Sequence, residues 1–134
     1  MFRETGKGGE IVPAYNFKPE FALLVESGVK RQTIRRVRKR PTDIGETLFL
    51  YEGMRTKNCR LLKKTICLRK ESIVIENHDI YLNGRALKMS EILDLSWADG
   101  FETIGEFINF FKKQYGLPFE GEIIKWCRMT HGRH

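Results

Sequence analysis

The chain has 134 residues, with 24 Lys+Arg against 17 Asp+Glu, and 41% of its residues are hydrophobic. This length fits one domain with its own core, and this composition argues against a chain that is disordered throughout. No apolar run is long enough to cross a bilayer, and the N-terminal stretch lacks the apolar segment of a secretory signal. We therefore expect a cytoplasmic protein with no membrane partner.

The first predicted elements follow a glycine-containing N-terminal stretch, residues 1–12, which we expect to be flexible. The aromatic and β-branched residues of VPAYNF (12–17) favour a short strand. PEFALLVES (19–27) has a proline where helices begin and an apolar stripe at helical spacing. Gly28 then fits the glycine that commonly ends a helix.

A strand is predicted next over QTIRRV (32–37), because Pro41 ends the segment and alternate residues can face one side. Thr33 and Arg35 would share one face, with Ile34 on the other. Four more segments have strand or hairpin composition, the last of them through its Asn-Gly turn. They are TLFLYEG (47–53), TICLR (65–69), SIVIE (72–76) and YLNGRAL (81–87).

The C-terminal part of the chain is predicted to be helical until a last strand, EIIKWCRM (122–129). Ser90 can cap a short helix, and Thr103 with Glu106 forms the pattern of a capping box. The helix after Thr103 carries an apolar stripe at helical spacing, which predicts a buried face. That stripe includes Phe107, Phe110 and Phe111, which are expected in the core, together with Ile108.

These elements predict an α+β fold: a small, mostly antiparallel β-barrel with two or three flanking helices. One domain is expected over residues 13–129, followed by a C-terminal tail, residues 130–134. Three cysteines, Cys59, Cys67 and Cys127, do not suit a disulfide framework, and their spacing fits no zinc motif. With His131 and His134 in the tail, we expect no metal site and no cofactor.

The most unusual stretch is GVKRQTIRRVRKR (28–40), whose seven basic residues equal the net charge of +7. A block of like charges is most often a solvated surface. This block contains no acidic residue and passes from a helix into a strand, and concentrated positive charge attracts phosphate backbones. We therefore expect nucleic-acid contacts from its cations, which besides Lys30 are Arg31, Arg35, Arg36, Arg38, Lys39 and Arg40.

Part of this stretch, SGVKRQTIRR, resembles the G-x-K-x-x-T-x-R signature of ASCH domains, which are small β-barrels of the PUA-like superfamily linked to RNA. Gly28, Lys30, Thr33 and Arg35 match the signature position for position. The resemblance continues over roughly residues 13–128. It includes DIGETLFLYEG (43–53) and WADGFETIGEFINFFKKQYG (97–116), and GMRTKNCR (53–60) and LPFEGEIIKW (117–126) resemble the phage and prophage branch.

The resemblance implies RNA or a modified nucleoside as the partner. Some ASCH proteins are amidohydrolases that deacylate acetylcytidine with a Lys–Thr–Glu site, and others are ribonucleases. Carried over, Lys30 would be the base and Thr33 the nucleophile. The carboxylate position falls on Asp99, which is one methylene shorter than the family's glutamate, with Glu102 as the alternative. A non-catalytic RNA-binding module is the competing interpretation.

The hydrolytic chemistry is also sensible on physical grounds. A threonine hydroxyl becomes a useful nucleophile when a base takes its proton. Lys30 can be that base if its pKa falls, and the neighbouring arginines favour such a fall. Their guanidinium groups can also stabilise an oxyanion. Neither Lys30 nor Thr33 is expected to carry core packing.

Overall fold

The computed structural model describes residues 4–5 and 11–126, with side chains from residue 13 to residue 126. Within these residues the helices are α1 (Pro19–Ser27), α2 (Met89–Ala98) and α3 (Ile104–Tyr115). The strands are β1 (Glu4–Thr5), β2 (Ile11–Val12), β3 (Ala14–Phe17), β4 (Gln32–Arg35), β5 (Thr47–Glu52), β6 (Arg60–Ile75), β7 (Ile80–Leu82), β8 (Arg85–Ala86) and β9 (Phe119–Trp126). None of these helices is long and apolar enough to cross a membrane.

The main sheet is mixed but mostly antiparallel. β3 runs parallel to β5, and β5 pairs antiparallel with β6. The long strand β6 then changes partner and pairs antiparallel with β9 and β7, while β9 also pairs with β4. The α+β class with three helices is therefore confirmed. Among the described strands, however, no ladder joins β3 to β4, and the sheet is open along this seam.

Arginine side chains bridge the open seam. Arg35 Nη2 donates to the carbonyl of Asn16 at 2.5 Å, and Arg38 donates to the carbonyl of Ala14. The Arg38 guanidinium also lies 3.8 Å from the centre of the Tyr15 ring. Carbonyls on the edge of β3 thus receive donors that a neighbouring strand would otherwise supply.

The predicted segments 65–69 and 72–76 are parts of one strand, β6, and not two strands. The residues between them are polar but include no glycine or proline that would stop an extended chain. A register shift between Cys67 and Arg69 marks the region where β6 passes from one partner to the next. A sequence pattern cannot show this exchange of partners, because β6 is continuous through it.

Helix boundaries depend on local hydrogen bonds at the helix ends. The N-cap predicted at Thr103 is confirmed, since Thr103 Oγ1 accepts from the backbone N–H of Glu106 at 3.0 Å; the return bond of a capping box is not among the bonds described for α3. The prediction that Ser90 caps α2 is wrong, because that helix already begins at Met89. Its first turn is closed by Glu91, whose carboxylate accepts from the backbone N–H of Lys88 at 2.8 Å.

Two adjoining clusters of buried side chains form the core. α3 packs on the sheet through Phe107 and Phe111, which are 0% and 1% exposed, as its helical spacing predicted. Ile108 is only partly buried and packs at the margin of the same cluster. Phe110 and Tyr115 flank this buried stripe on its two sides and are also partly buried.

Candidate active site

The junction between α1 and β4 places Lys30. α1 ends at Gly28, whose φ of +87° turns the chain out of the helix. The backbone N–H of Lys30 then donates to the carbonyl of Leu24 at 2.9 Å, which holds the junction against the helix end. As a result the Lys30 side chain points inward and is buried, as is Thr33 at the second position of β4.

The turn after α2 brings Asp99 to the same place. Asp99 closes the C-terminus of α2 and is followed by Gly100, whose φ is +98°. A Cβ at Gly100 would lie 3.0 Å from the Phe21 ring, so this turn packs directly on α1. The close approach of the two segments depends on the glycine, because a side chain there would push them apart.

Lys30 and Asp99 form a buried ion pair. Lys30 Nζ lies 3.0 Å from Asp99 Oδ1 and donates to the Asp99 backbone carbonyl at 2.5 Å. Gln32 Nε2 donates to the same Oδ1 at 3.1 Å. No described residue donates to Asp99 Oδ2. The shorter side chain of an aspartate therefore reaches the lysine from this position, and one carboxylate oxygen is left for a ligand.

The surroundings of the pair act against its charges. Burial lowers the pKa of Lys30, and the Arg35 guanidinium adds to that effect, while the Asp99 carboxylate opposes it. Burial likewise raises the pKa of Asp99, against the attraction of Lys30 and the hydrogen bond from Gln32. Both pKa shifts favour the uncharged forms, which are a neutral amine on Lys30 and a protonated carboxyl on Asp99. A lysine can act as a base only as the neutral amine.

Thr33 is held by Arg35 on the same face of β4. Arg35 Nε donates to Thr33 Oγ1 at 2.8 Å, and its Nη2 group is used at the seam with β3. The Nη1 group donates to no described residue. Burial lowers the pKa of Arg35, but an arginine remains protonated at neutral pH. No hydrogen bond in the described part of the chain joins Lys30 Nζ to Thr33 Oγ1.

These side chains line one cavity of about 230 Å³. Lys30, Thr33, Arg35 and Asp99 converge there, although Asp99 is far from the others in sequence. Most of the remaining wall is aromatic: Phe17, Phe21, Phe101, Phe110, Phe111 and Tyr115. The other polar groups at the cavity are Asn16, Lys18 and Gln114.

Phe110 corrects the sequence prediction. It was expected in the core, yet it is only partly buried and faces the cavity, where Lys18 Nζ lies 5.2 Å from its ring centre. The sequence gave no signal for this, because Phe110 and Phe111 are adjacent and both fit an apolar stripe along α3. Gln32 was also missed, although a polar residue in a short buried strand is a sign of a specific hydrogen bond.

The basic residues do not form one continuous surface. Arg36, Lys39 and Arg40 are exposed, and the Arg36 guanidinium lies 5.1 Å from the centre of the Tyr115 ring at the cavity mouth. Arg31 is exposed and donates to the Gly28 carbonyl at 3.1 Å. Arg35 and Arg38 are instead directed toward β3. The cations available to a ligand outside the cavity are therefore fewer than the sequence suggests.

The alternative carboxylate, Glu102, lies elsewhere. Its side chain is exposed and does not line the cavity, and its carbonyl accepts from Trp97 Nε1 at 3.0 Å. Asp99 precedes Gly100 and Phe101, and Glu102 follows them. Only Asp99 reaches Lys30.

The described residues contain no group of three or more His, Cys, Asp or Glu side chains placed to hold a metal ion. Cys59 is exposed and Cys67 is buried, and both are free thiols. The other candidate ligands considered from the sequence, Cys127, His131 and His134, lie outside the described residues.

Comparisons with protein-family models, with curated proteins and with solved structures found no match. The cavity and its chemistry are therefore the basis for assigning a function.

Proposed function

We propose that this protein binds a nucleobase in the cavity and hydrolyses an amide on it, of the kind found in acetylcytidine. Thr33 is the nucleophile, Lys30 is the base, and Asp99 orients Lys30 and the substrate. The protein would then be an ASCH-like member of the PUA-like superfamily. Its open seam between β3 and β4 would correspond to the closure of that family's barrel, with arginine side chains in place of a ladder.

One observation carries the proposal: a buried Lys–Asp pair and an Arg-bound threonine meet in a cavity with aromatic walls. Aromatic faces stack on bases, while a few polar groups fix a ligand's orientation. Asp99 Oδ2 is an available acceptor and Arg35 Nη1 is an available donor. An N-acylated amino group has the matching pair, an N–H and a carbonyl oxygen.

In the proposed reaction Lys30 acts as the neutral amine, the form that burial favours, after its ammonium has lost a proton to solvent. Thr33 Oγ1 then attacks the acyl carbon as Lys30 takes up the threonine proton. The Arg35 Nε–H group already contacts Oγ1, and it stabilises negative charge there as the O–H bond breaks. Lys30 Nζ is bonded to Asp99 in the empty cavity, so its transfer geometry must be completed when substrate enters. Catalytic hydrogen bonds commonly shorten at that stage.

The remaining steps balance without a cofactor. Arg35 Nη1 donates to the oxyanion of the tetrahedral intermediate. The intermediate collapses to an acyl ester on Thr33, and Lys30 returns its proton to the departing amine. Lys30 then takes a proton from the water that attacks the ester and returns it to Thr33 Oγ1 as that oxygen leaves. The products are a carboxylic acid and the deacylated nucleobase, and Thr33 and Lys30 are restored. Asp99 stabilises the lysine each time it becomes charged.

The test measures acetylcytidine deacetylation by purified protein. Thr33→Ala should abolish turnover, and Thr33→Ser should retain part of it because the hydroxyl remains. Thr65→Ala, a strand threonine of β6 that does not line the cavity, is the matched control and should behave as the parent. Loss of a nucleophile should lower kcat by about 10³-fold or more. Full activity of Thr33→Ala would remove the proposed nucleophile.

A second candidate function is non-catalytic RNA binding, which is favoured by the exposed cations Arg36, Lys39 and Arg40. Contacts with phosphates weaken steeply as salt rises, whereas turnover of a small neutral nucleoside should change little. Tight, salt-sensitive RNA binding without deacetylation by the parent would favour this candidate over the hydrolase.

A further inference from the structure

The cavity carries an excess of positive charge. Its charged lining residues are Lys18, Lys30, Arg35 and Asp99. Lys30 and Asp99 are paired at 3.0 Å, and their charges sum to zero whether the pair is ionised or its proton has passed to the carboxylate. Lys18 and Arg35 therefore leave two positive charges, and no acidic side chain among the described lining residues balances them. A cavity with this charge favours an anionic ligand.

Arg35 is a partly buried cation whose hydrogen-bond partners are all neutral. Its Nε group donates to Thr33 Oγ1, and its Nη2 group donates to the Asn16 carbonyl. Its guanidinium carbon lies 5.4 and 5.2 Å from the ring centres of Tyr15 and Phe17. Within the described residues it forms no ion pair. Cations withdrawn from water are usually paired with an anion, because an unpaired charge there costs free energy.

The two acids near Arg35 are bound to other cations. Glu122 lies opposite Arg35 in the pairing of β4 with β9, but its Oε1 is 3.6 Å from Lys70 Nζ and forms an ion pair there. Asp99 also attracts the guanidinium, but its Oδ1 is paired with Lys30. Neither acid is therefore available to Arg35, and its Nη1 group is left for an anion from outside the protein.

The free donor and the walls of the cavity fit a carboxylate better than a phosphate. Nε and Nη2 of Arg35 are already bonded, so Nη1 is the guanidinium nitrogen left for a ligand. A phosphate monoester carries more than one negative charge at neutral pH, and its surplus charge would lie against aromatic rings. A carboxylate carries a single charge, which one guanidinium balances through a charge-assisted hydrogen bond.

The volume of the cavity limits the rest of the ligand to about one ring. An apolar cavity of about 150 Å³ binds benzene, and this cavity has about 230 Å³. A single six-membered ring therefore fits together with a carboxylate. Most of the wall around the polar groups is aromatic, and aromatic side chains pack favourably against a ring, either stacked or edge-on.

We infer that the cavity binds a small aromatic carboxylate, with its charge against Arg35 Nη1 and its ring against the aromatic wall. Lys18 at the cavity adds to the attraction of the anion. The inference uses the cavity of the proposed function but does not rest on hydrolysis. It adds one expectation to that function, which is that such carboxylates compete with the substrate.

The test measures the binding of benzoate and of benzamide by isothermal titration calorimetry at low salt. The two molecules have almost the same shape, and only benzoate is charged at neutral pH. Benzoate should bind about tenfold more tightly or better, because only the carboxylate balances the guanidinium charge. Arg35→Gln should remove most of this preference. Arg60→Gln removes an arginine that does not line the cavity, and this matched control should keep the preference.

A second measurement uses the parent protein, because Arg35 also bridges the open seam and Arg35→Gln can lose its fold. Two-dimensional NMR follows the Nε–H resonances of the arginines. Bound benzoate should shift the Arg35 resonance, and benzamide at the same occupancy should shift it less. The Arg60 resonance should not move with either molecule.

The outcomes separate this inference from the proposed function. Benzoate that binds no more tightly than benzamide, or that leaves the Arg35 resonance unchanged, would overturn the inference even if acetylcytidine is hydrolysed. Phenyl phosphate that binds as tightly as benzoate or more tightly would also overturn it, in favour of a phosphate ligand. Selective benzoate binding without deacetylation would support the inference and reject the hydrolase.

Discussion

Breaking the Lys30–Asp99 pair from one side should destabilise the fold. At the observed 3.0 Å separation, two unit charges attract by about 5.5 kcal/mol at an effective dielectric constant of ~20. Desolvation of both groups offsets much of this attraction, so the intact pair contributes little net stability. Lys30→Met removes only the compensation and leaves a buried carboxylate, and it should cost about 3–5 kcal/mol.

The same substitution should make stability depend on pH. Lys30 lowers the pKa of Asp99, so its removal raises that pKa further above the value in the unfolded chain. In the variant, the folded state then binds a proton that the unfolded state releases. Stability is therefore highest below about pH 4 and is lost as pH rises through the folded pKa. The cost of Lys30→Met should be larger at pH 7 than at pH 5.

Urea unfolding at both pH values measures these effects, together with Asp99→Asn and the double variant. Because the double variant removes both charges of the pair, its cost should fall short of the summed single costs by about 2 kcal/mol. Arg60→Met is the matched control on an exposed pair with Glu26, whose side chains are 50% and 41% exposed, and it should cost below ~1 kcal/mol. Additive single effects would refute the reasoning. The burial of Lys30 and its ion pair with Asp99 differ from the sequence-based expectation that Lys30 carries no core packing.

Two further predictions concern packing. Phe111→Ala should cost about 3–5 kcal/mol in urea unfolding, since Phe111 is 1% exposed and its removal leaves a cavity; a cost below ~1 kcal/mol would contradict its place in the core. Gly121→Ala should destabilise the pairing of β4 with β9, because its Cβ would lie 2.4 Å from the Arg35 carbonyl. Gly105 lies in α3, and a Cβ there would be 3.9 Å from its nearest neighbour, Thr103 Oγ1. Gly105→Ala should therefore stabilise the fold by about 0.5–1 kcal/mol. Equal effects of the two substitutions would exclude a steric cause for the loss at Gly121.

Local features of the fold could be predicted from the sequence because their causes are local. α1 was placed by Pro19, an apolar stripe and Gly28, and α3 by a capping threonine and a repeating apolar face. These signals act within one or two helical turns, so neighbouring residues carry the information. Likewise, Thr33 and Arg35 could be placed on one face because alternate residues of any strand share a face.

Strand pairing and packing between segments that are distant in sequence could not be predicted in this way. The exchange of partners along β6, the open seam between β3 and β4, and the different positions of Phe110 and Phe111 depend on which elements pack together. Arg38 illustrates the difference. Its charge predicted a nucleic-acid contact, and only the tertiary structure shows that its Nη2 group donates to the Ala14 carbonyl of β3.

The sequence by itself determined the α+β class and the helices α1 and α3. It also named the candidate trio of Lys30, Thr33 and Asp99, whose roles came from a family resemblance and not from any local pattern. Only the tertiary structure decided that Asp99 and not Glu102 meets Lys30, and that Gln32 holds the carboxylate. The physical reason is that Gly100 allows the turn after α2 to pack on α1. An ion pair between residues 69 positions apart is a property of that packing, and no short window of the chain contains it.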